Sequence, residues 1–427
     1  MDRGKMKNIL IICDAFPPAF NPRMGYLCKY LPELGWKPII VSEYSPQKIF
    51  DNLSRSEDIE YINFFWKNNG EINKLKYLFI FFAELFVNYK NIVFKRTSEK
   101  IIKQHDISII LSSVSWRAFP ALTAKWLGKK YNIPYIVDCR DIYEQFPNRE
   151  YTSKFFLKAS FLSNMVDFIV QKKYKVQRNK ILRKANAVTT VSEWHTNKLL
   201  KYNKNTSLIF NGFDDELFFF KQLKNKTFII TYTGRIESEA VKDPSLLFKS
   251  IVYLSENKMI TPEKVRVQFY LLNQSSKDIT TKMADKYQVT NFIDIFDGVP
   301  NDKVPDILNI SSILLLLANC SLGEKAPKGI MGTKTYEYLA VQKPILCVKN
   351  DEDCLESIIN SANAGVAASI VEEASDFIME KYVEWNNYGF THQKTDKEYI
   401  KKFSRRYQAE QFVEIFERLL NNHNKEK

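Results

Sequence analysis

Along the chain, short runs of aliphatic and β-branched residues alternate with longer stretches whose apolar positions recur every three to four residues. Such alternation marks parallel strands joined by helices, and it argues against all-α and all-β folds. In the first half, the runs at 8–13, 37–42, 107–111, 134–138, 187–191 and 207–210 are expected as strands. A second series starts at 227–233 and continues at 265–272, 291–296, 312–317 and 344–348. Each series is long enough for one doubly wound sheet, so the pattern predicts an α/β protein of two Rossmann-like domains joined near 211–223. The expected division is an N-terminal domain over 1–215, a C-terminal domain over 216–395 and a terminal helical stretch over 396–427. That last stretch is amphipathic through Tyr399, Phe403, Tyr407, Phe412 and Phe416, a pattern suited to packing across a domain surface.

Composition narrows the class. The chain has 427 residues, 45% hydrophobic and 26% charged, with 13 Gly and 15 Pro, which excludes global disorder and a disulfide-stapled scaffold. Its six cysteines include no Cys-x-x-Cys spacing, so they read as buried thiols in a reducing compartment. No N-terminal stretch combines a basic start, an apolar run of signal length and a small-residue cleavage site, and a cytoplasmic location is expected. Net charge adds an asymmetry. The chain carries +13; residues 1–220 hold 34 basic and 21 acidic side chains, while 221–427 hold 28 of each. The first half is therefore expected to face something anionic: nucleic acid, a membrane surface or an acidic acceptor.

Candidate chemistry gathers after the expected strands. The first runs into Asp14-Ala-Phe-Pro-Pro-Ala-Phe-Asn-Pro-Arg23-Met-Gly25. This segment is either a structural Pro/Gly turn or a ligand loop, and it lacks the G-x-G-x-x-G fingerprint. The strand at 134–138 ends in Asp138-Cys-Arg140-Asp141, either an ion pair capping the next segment or a polar binding cluster. After 227–233 come Gly234-Arg235 and then Lys242, where a glycine permits close approach and the cations suit a diphosphate. The strongest stretch is Gly329-Ile-Met-Gly332-Thr333-Lys334-Thr-Tyr-Glu337, preceded by Lys325. A glycine-bearing loop opening a helix aims the amides of Gly332 and Thr333 at an anion beside Lys334, and Glu337 one turn on can accept ribose hydroxyls. Asp351-Glu-Asp353 spells D-x-D but precedes a helix, so acidic N-terminal capping is the expected role.

Taken in order, Phe-Pro-Pro…Arg23-x-Gly25, Ile-Val-Asp-Cys-Arg140-Asp141, Val191-Ser192, Asn211-Gly-Phe-Asp214, Gly234-Arg235 and Gly332-Thr-Lys334-x-Tyr-Glu337-Tyr-Leu-Ala…Lys343-Pro344 resemble the family-four (group 1) glycosyltransferases across nearly the whole chain. The resemblance implies the GT-B fold, with two Rossmann-like β/α/β domains facing each other across a donor/acceptor cleft. It implies a hexosyltransferase that moves a sugar from a nucleotide-sugar donor, UDP-linked by expectation, to a lipid-linked or glycan acceptor in surface polysaccharide or glycolipid assembly. Retention of configuration, no metal and no cofactor beyond the donor belong to the same implication. Residue by residue, Arg235, Lys242, Gly332, Thr333 and Lys334 would hold the donor diphosphate, Glu337 the ribose, and Gly25 would approach the phosphate from the N-terminal domain. Two departures stand out: Gly329 occupies the place of the sugar-contacting glutamate, and Arg140-Asp141 replaces the usual N-terminal histidine. Asp141, with Arg140 beside it, is the candidate contact to the transferred sugar or an acceptor-side base. Loss of the glutamate leaves open a second reading, a non-catalytic nucleotide-sugar-binding partner of another transferase.

The basic half contains two aromatic segments. Residues 75–94 hold Tyr77, Phe79, Phe81, Phe82, Phe86, Tyr89 and Phe94, with Lys74, Lys76, Lys90, Lys95 and Arg96 at the margins and Glu84 interrupting the run. Residues 155–184 begin with Phe155, Phe156 and Phe161 and end in seven Lys/Arg. Either both are ordinary helices with solvated basic faces, or they rest on an anionic membrane surface, placing the protein peripherally on the inner face of the cell membrane. Charge alone would also suit a nucleic-acid-binding protein, but that reading leaves residues 332–337 unused, and no nucleic-acid partner is expected.

Overall fold

The computed structural model describes residues 6–50, 53, 58–115, 118–145, 160–236, 238, 242–319, 329–351 and 353–425, without the side chains of 160–163. Phe155, Phe156, the Phe161 side chain and residues 320–328, Lys325 among them, lie outside the described residues. The chain divides into two compact units, Met1–Phe210 with Arg405–Lys427, and Asn211–Ser404.

The first unit is built on a seven-stranded parallel sheet in the order β3-β2-β1-β4-β5-β6-β7. Its strands are β1 (Lys7–Cys13), β2 (Trp36–Glu43), β3 (Ile59–Ile62), β4 (Ile107–Val114), β5 (Tyr135–Cys139), β6 (Ala187–Thr190) and β7 (Thr206–Leu208). Helices α1 (Pro22–Tyr30), α2 (Lys74–Val87), α3 (Tyr89–Gln104), α4 (Phe119–Tyr131), α5 (Ser160–Leu182) and α6 (Glu193–Leu199) connect them. The second unit carries a six-stranded sheet, β10-β9-β8-β11-β12-β13. Its strands are β8 (Phe228–Gly234), β9 (Val265–Leu271), β10 (Ile293–Asp297), β11 (Ile313–Leu317), β12 (Ile345–Val348) and β13 (Gly365–Ala368). Around them run α7 (Ser245–Glu256), α8 (Gln274–Lys286), α9 (Val304–Ile310), α10 (Thr333–Ala340), α11 (Cys354–Ser361), α12 (Val371–Tyr388) and α13 (Lys397–Lys401). The last helix, α14 (Arg405–Lys425), returns to the first unit.

The central strands are apolar, β11 throughout and β1 from Ile9 on, because helices cover both faces of a parallel sheet. On one face of the first sheet, Ile9, Ile11, Trp36 and Ile109 join Phe412, Phe416 and Leu419 of α14 in one core, with Trp36 and Phe416 5.1 Å apart edge to face. The other face packs against α3, α4 and α5 through Phe94, Phe119, Leu127 and Ile181. All eleven expected strands are present within a few residues of their expected bounds. Two more, β3 and β13, were not expected. β3 is a partly exposed edge strand without an apolar run, and β13 is made of Gly-Val-Ala-Ala, too small to stand out. Gly365 opens β13 at φ 153°, where a side chain would run into the Ile345 backbone.

Candidate functional site

In the second unit the expected site residues converge at the carboxyl end of β8. Gly234 ends that strand at φ 130°, and a β-carbon there would collide with Lys334 Nζ. Lys334 lies in the first turn of α10 and lays its ammonium over the Tyr232 ring, 4.3 Å from the centroid. It makes no hydrogen bond or ion pair among the described residues, and burial lowers its pKa to about 7, with Lys242 adding to the fall and Glu337 opposing it. Gly234, Lys242, Lys334 and Glu337 are therefore neighbours. Arg235, next along from Gly234, is exposed.

Among the described residues the start of α10 is open. Gly332 occupies its N-cap position, exposed and without a capping side chain, so the helix presents its first amides uncapped, with Thr333 at the first position. The helix is fixed to β8 by Tyr338, whose hydroxyl accepts from the Thr233 amide at 3.3 Å. Tyr232 Oη donates to the Arg235 carbonyl at 2.7 Å, shaping the turn after Gly234. Beyond Lys242, which takes the left-handed region at φ 59°, the Asp243 carboxylate accepts from the Ser245 amide (2.8 Å) and hydroxyl (2.9 Å) and pairs with Lys349. Tyr232 and Tyr338 were not singled out from the sequence; both are buried aromatics in otherwise ordinary core positions. Gly329 adopts φ 67° and offers no carboxylate eight positions before Glu337. Asp351 caps α11, its oxygens accepting from the amides of Leu355 (3.0 Å) and Glu356 (3.1 Å), which agrees with acidic capping of that helix.

In the first unit the strand-end charges are bound to one another. Asp138 is fully buried; Arg23 grips it through Nε (3.0 Å) and Nη2 (2.9 Å), and Thr189 Oγ1 donates at 2.7 Å. The remaining Arg23 nitrogen donates to the Phe210 carbonyl at 2.9 Å. Arg140 pairs instead with Asp14 at the end of β1 (3.0 Å), and Ser115 Oγ donates to the same carboxylate at 2.8 Å. Arg140 and the half-buried Asp141 thus stand together at the carboxyl ends of β1, β4 and β5. Gly25 sits inside α1, its amide donating to the Asn21 carbonyl at 3.2 Å, and a β-carbon there would lie 2.6 Å from Pro17 Cγ. Its amide is occupied within the helix, and its lack of a side chain serves close packing.

His195 follows three residues after Ser192 of the Val191-Ser192 motif. It lies in the first turn of α6, immediately past the end of β6, fully buried, with neither ring nitrogen hydrogen-bonded. Burial lowers its pKa to about 4, Glu144 pulling the other way and Arg178 adding to the fall, so the ring is neutral. Glu144 and Arg178 are themselves bidentate partners at 2.8 and 2.9 Å.

No family model and no curated protein matches the chain. Among solved structures, it is similar to sucrose-phosphate synthase from Thermosynechococcus elongatus, with a TM-score of 0.62 at 11% identity over 97% of this chain and 100% of that one. A glycosyltransferase from Rickettsia africae ESF-5 gives 0.60 at 18% identity over 98% and 99%. Anabaena HepE in complex with UDP and glucose gives 0.57 at 12% identity over 96% and 99%. At these identities the likeness shows the fold: two Rossmann-like units of the GT-B class.

Proposed function

We propose that the chain is a glycosyltransferase of the hexosyl-transferring kind, taking its sugar from a nucleotide donor bound in the second unit. The observation that carries this reading is Lys334. It is an ammonium held against Gly234 and an aromatic face, beside a second lysine and a helix start, and among the described residues no carboxylate is hydrogen-bonded or ion-paired to it. Such a constellation is suited to a diphosphate, whose charge restores the protonated state that burial disfavours. Arg235, Lys242, Gly332, Thr333 and Lys334 take the diphosphate, and Glu337 accepts from the ribose hydroxyls. Departure of the nucleoside diphosphate is then stabilised by cations already in place, and this chemistry asks for no metal.

In the first unit, Arg140, fixed by Asp14, presents Asp141 at the strand ends, where it serves as the polar contact to the transferred sugar. A UDP-sugar donor, retention of configuration and a lipid-linked or glycan acceptor in surface-glycan assembly complete the proposal. HepE, a protein of the same fold, is described with UDP and glucose, which supports the choice of base. Gly329 favours a second reading, binding without transfer, because it supplies no carboxylate to the sugar. Calorimetry with UDP, GDP, ADP and their common sugar conjugates, on the wild type and Glu337→Ala, tests the donor site. Micromolar binding of one nucleotide, weakened in the variant, supports it; no binding of any nucleotide overturns it. Sugar release from the bound conjugate, with and without glycolipid acceptor, then separates transfer from binding alone.

A further inference from the structure

Helix α2 is turned inside out. Asn73 caps it, accepting from the Lys76 amide at 3.1 Å, and Asn88 ends it in the left-handed region at φ 51°, so that α3 leaves at 87°. No single helix among the described residues is long and apolar enough to cross a membrane. Yet the outward stripe of α2 is Leu75 (82% exposed), Phe79 (63%), Phe82 (47%) and Phe86 (76%), residues that share one helical face by their spacing of four, three and four. Its one acidic residue, Glu84, read from the sequence as interrupting the apolar run, points inward at 6% exposure, where Oε2 accepts from the Lys90 amide at 2.8 Å. A water-facing helix would show the opposite arrangement.

Helix α5 extends the same face. Lys173 Nζ donates to the Glu84 carbonyl at 3.0 Å and also to that of Leu85, and Gln177 donates to Asn88 at 3.2 Å, so α5 is pinned to the C-terminal end of α2. From α5, Met165, Phe168, Ile169 and Val176 are exposed, with Lys172 and Lys180; Lys74 and Lys76 flank the start of α2. The only acidic residues of the two helices are the buried Glu84 and the half-buried Asp167.

We infer that the outward faces of α2 and α5 form a docking surface for an anionic lipid bilayer. An apolar stripe with a lysine margin fits the boundary between acyl chains and anionic headgroups, with the rings inserted and the ammonium groups at phosphate level. Charge decides against a second copy of the chain, since two such faces in contact would bring their lysine margins together. The inference is independent of the donor site.

Sedimentation with vesicles tests it, using phosphatidylcholine alone and phosphatidylcholine with phosphatidylglycerol. The full-length protein should bind the anionic vesicles at low salt at least about tenfold more tightly than the neutral ones. Replacing Phe79, Phe82 and Phe86 together by serine should weaken that binding by about a hundredfold, with the urea midpoint and UDP binding unchanged. Lys76→Glu with Lys172→Glu gives a second variant that leaves the apolar stripe intact and should lose the preference for phosphatidylglycerol. Absence of vesicle binding by the wild type, or binding indifferent to both variants, overturns the inference. So does a wild-type dimer in sedimentation velocity that the triple serine variant abolishes, because the face then belongs to a second copy.

Discussion

The two units place charged residues at the same position, the carboxyl ends of a parallel sheet, and use them in opposite ways. In the first, the two cations described there have protein carboxylates: Arg23, reaching in from α1, holds Asp138, and Arg140 holds Asp14. In the second, Lys349 is likewise paired with Asp243, but Lys334 has no hydrogen-bond or ion-pair partner among the described residues, and Arg235 stands exposed beside it. Both crevices come from one topology, yet among the described residues the cations of the first are paired and Lys334 and Arg235 of the second are not. The strand-end position therefore supplies an opportunity, and the partner of each cation tells whether it is spent on the fold or kept for a ligand.

The largest effect should follow from breaking a pair in the first unit. Arg23→Met leaves the fully buried Asp138 without its cation, and urea unfolding should show a loss of about 3–5 kcal/mol while UDP affinity of the folded protein stays the same. In the second unit the balance should reverse. Lys334→Met removes a charge that burial disfavours more than Glu337 supports, so stability holds or rises, while calorimetric affinity for UDP falls about 10- to 100-fold. Arg140→Met, matched in chemistry, should leave UDP affinity unchanged and lower turnover instead. A smaller effect sharpens the map within the site: Glu337→Ala should weaken UDP by about tenfold and leave inorganic pyrophosphate binding untouched, since only the ribose is lost.

The smallest effect is on pH. The free Lys334 ammonium, with its pKa lowered to about 7, is already protonated below neutrality, so affinity is flat there. Above pH 7 the diphosphate must bring a proton with it, and affinity should decline by up to about tenfold per pH unit, with proton uptake visible in calorimetry across buffers. Lys334→Arg, permanently charged, should abolish the slope. A slope that survives in that variant would remove Lys334 from the diphosphate.

What could be read from the chain follows the same division. The second unit's motif was legible because Gly332, Thr333, Lys334 and Glu337 occupy one short helix and its entry, where spacing along the chain is spacing in space. The pairing of Arg23 with Asp138 spans 115 residues and that of Arg140 with Asp14 spans 126, so sheet register decides them and no local pattern announces them. Asp138-Cys-Arg140-Asp141 read as one cluster, whereas β5 is buried along its whole length, Asp138 included, while the chain just past the strand delivers Arg140 to the rim. Among strands, long apolar runs were plain, and the exposed β3 and the small-residue β13 were not. The direction in which Glu84 points was equally hidden, because composition counts a carboxylate without saying which way it faces.

The return of α14 sets the order in which the chain can be finished. Residues 211–404, which make the whole of the second unit, leave the ribosome before Phe412, Phe416 and Leu419, which the first unit's core requires. Although most of the first unit precedes the second along the chain, the second is the one that can complete its fold first. A premature stop near residue 404 would therefore yield a chain whose late-made half is intact and whose early-made half lacks one wall of its core. Helix α14 is the closing piece of a core that β1 opens.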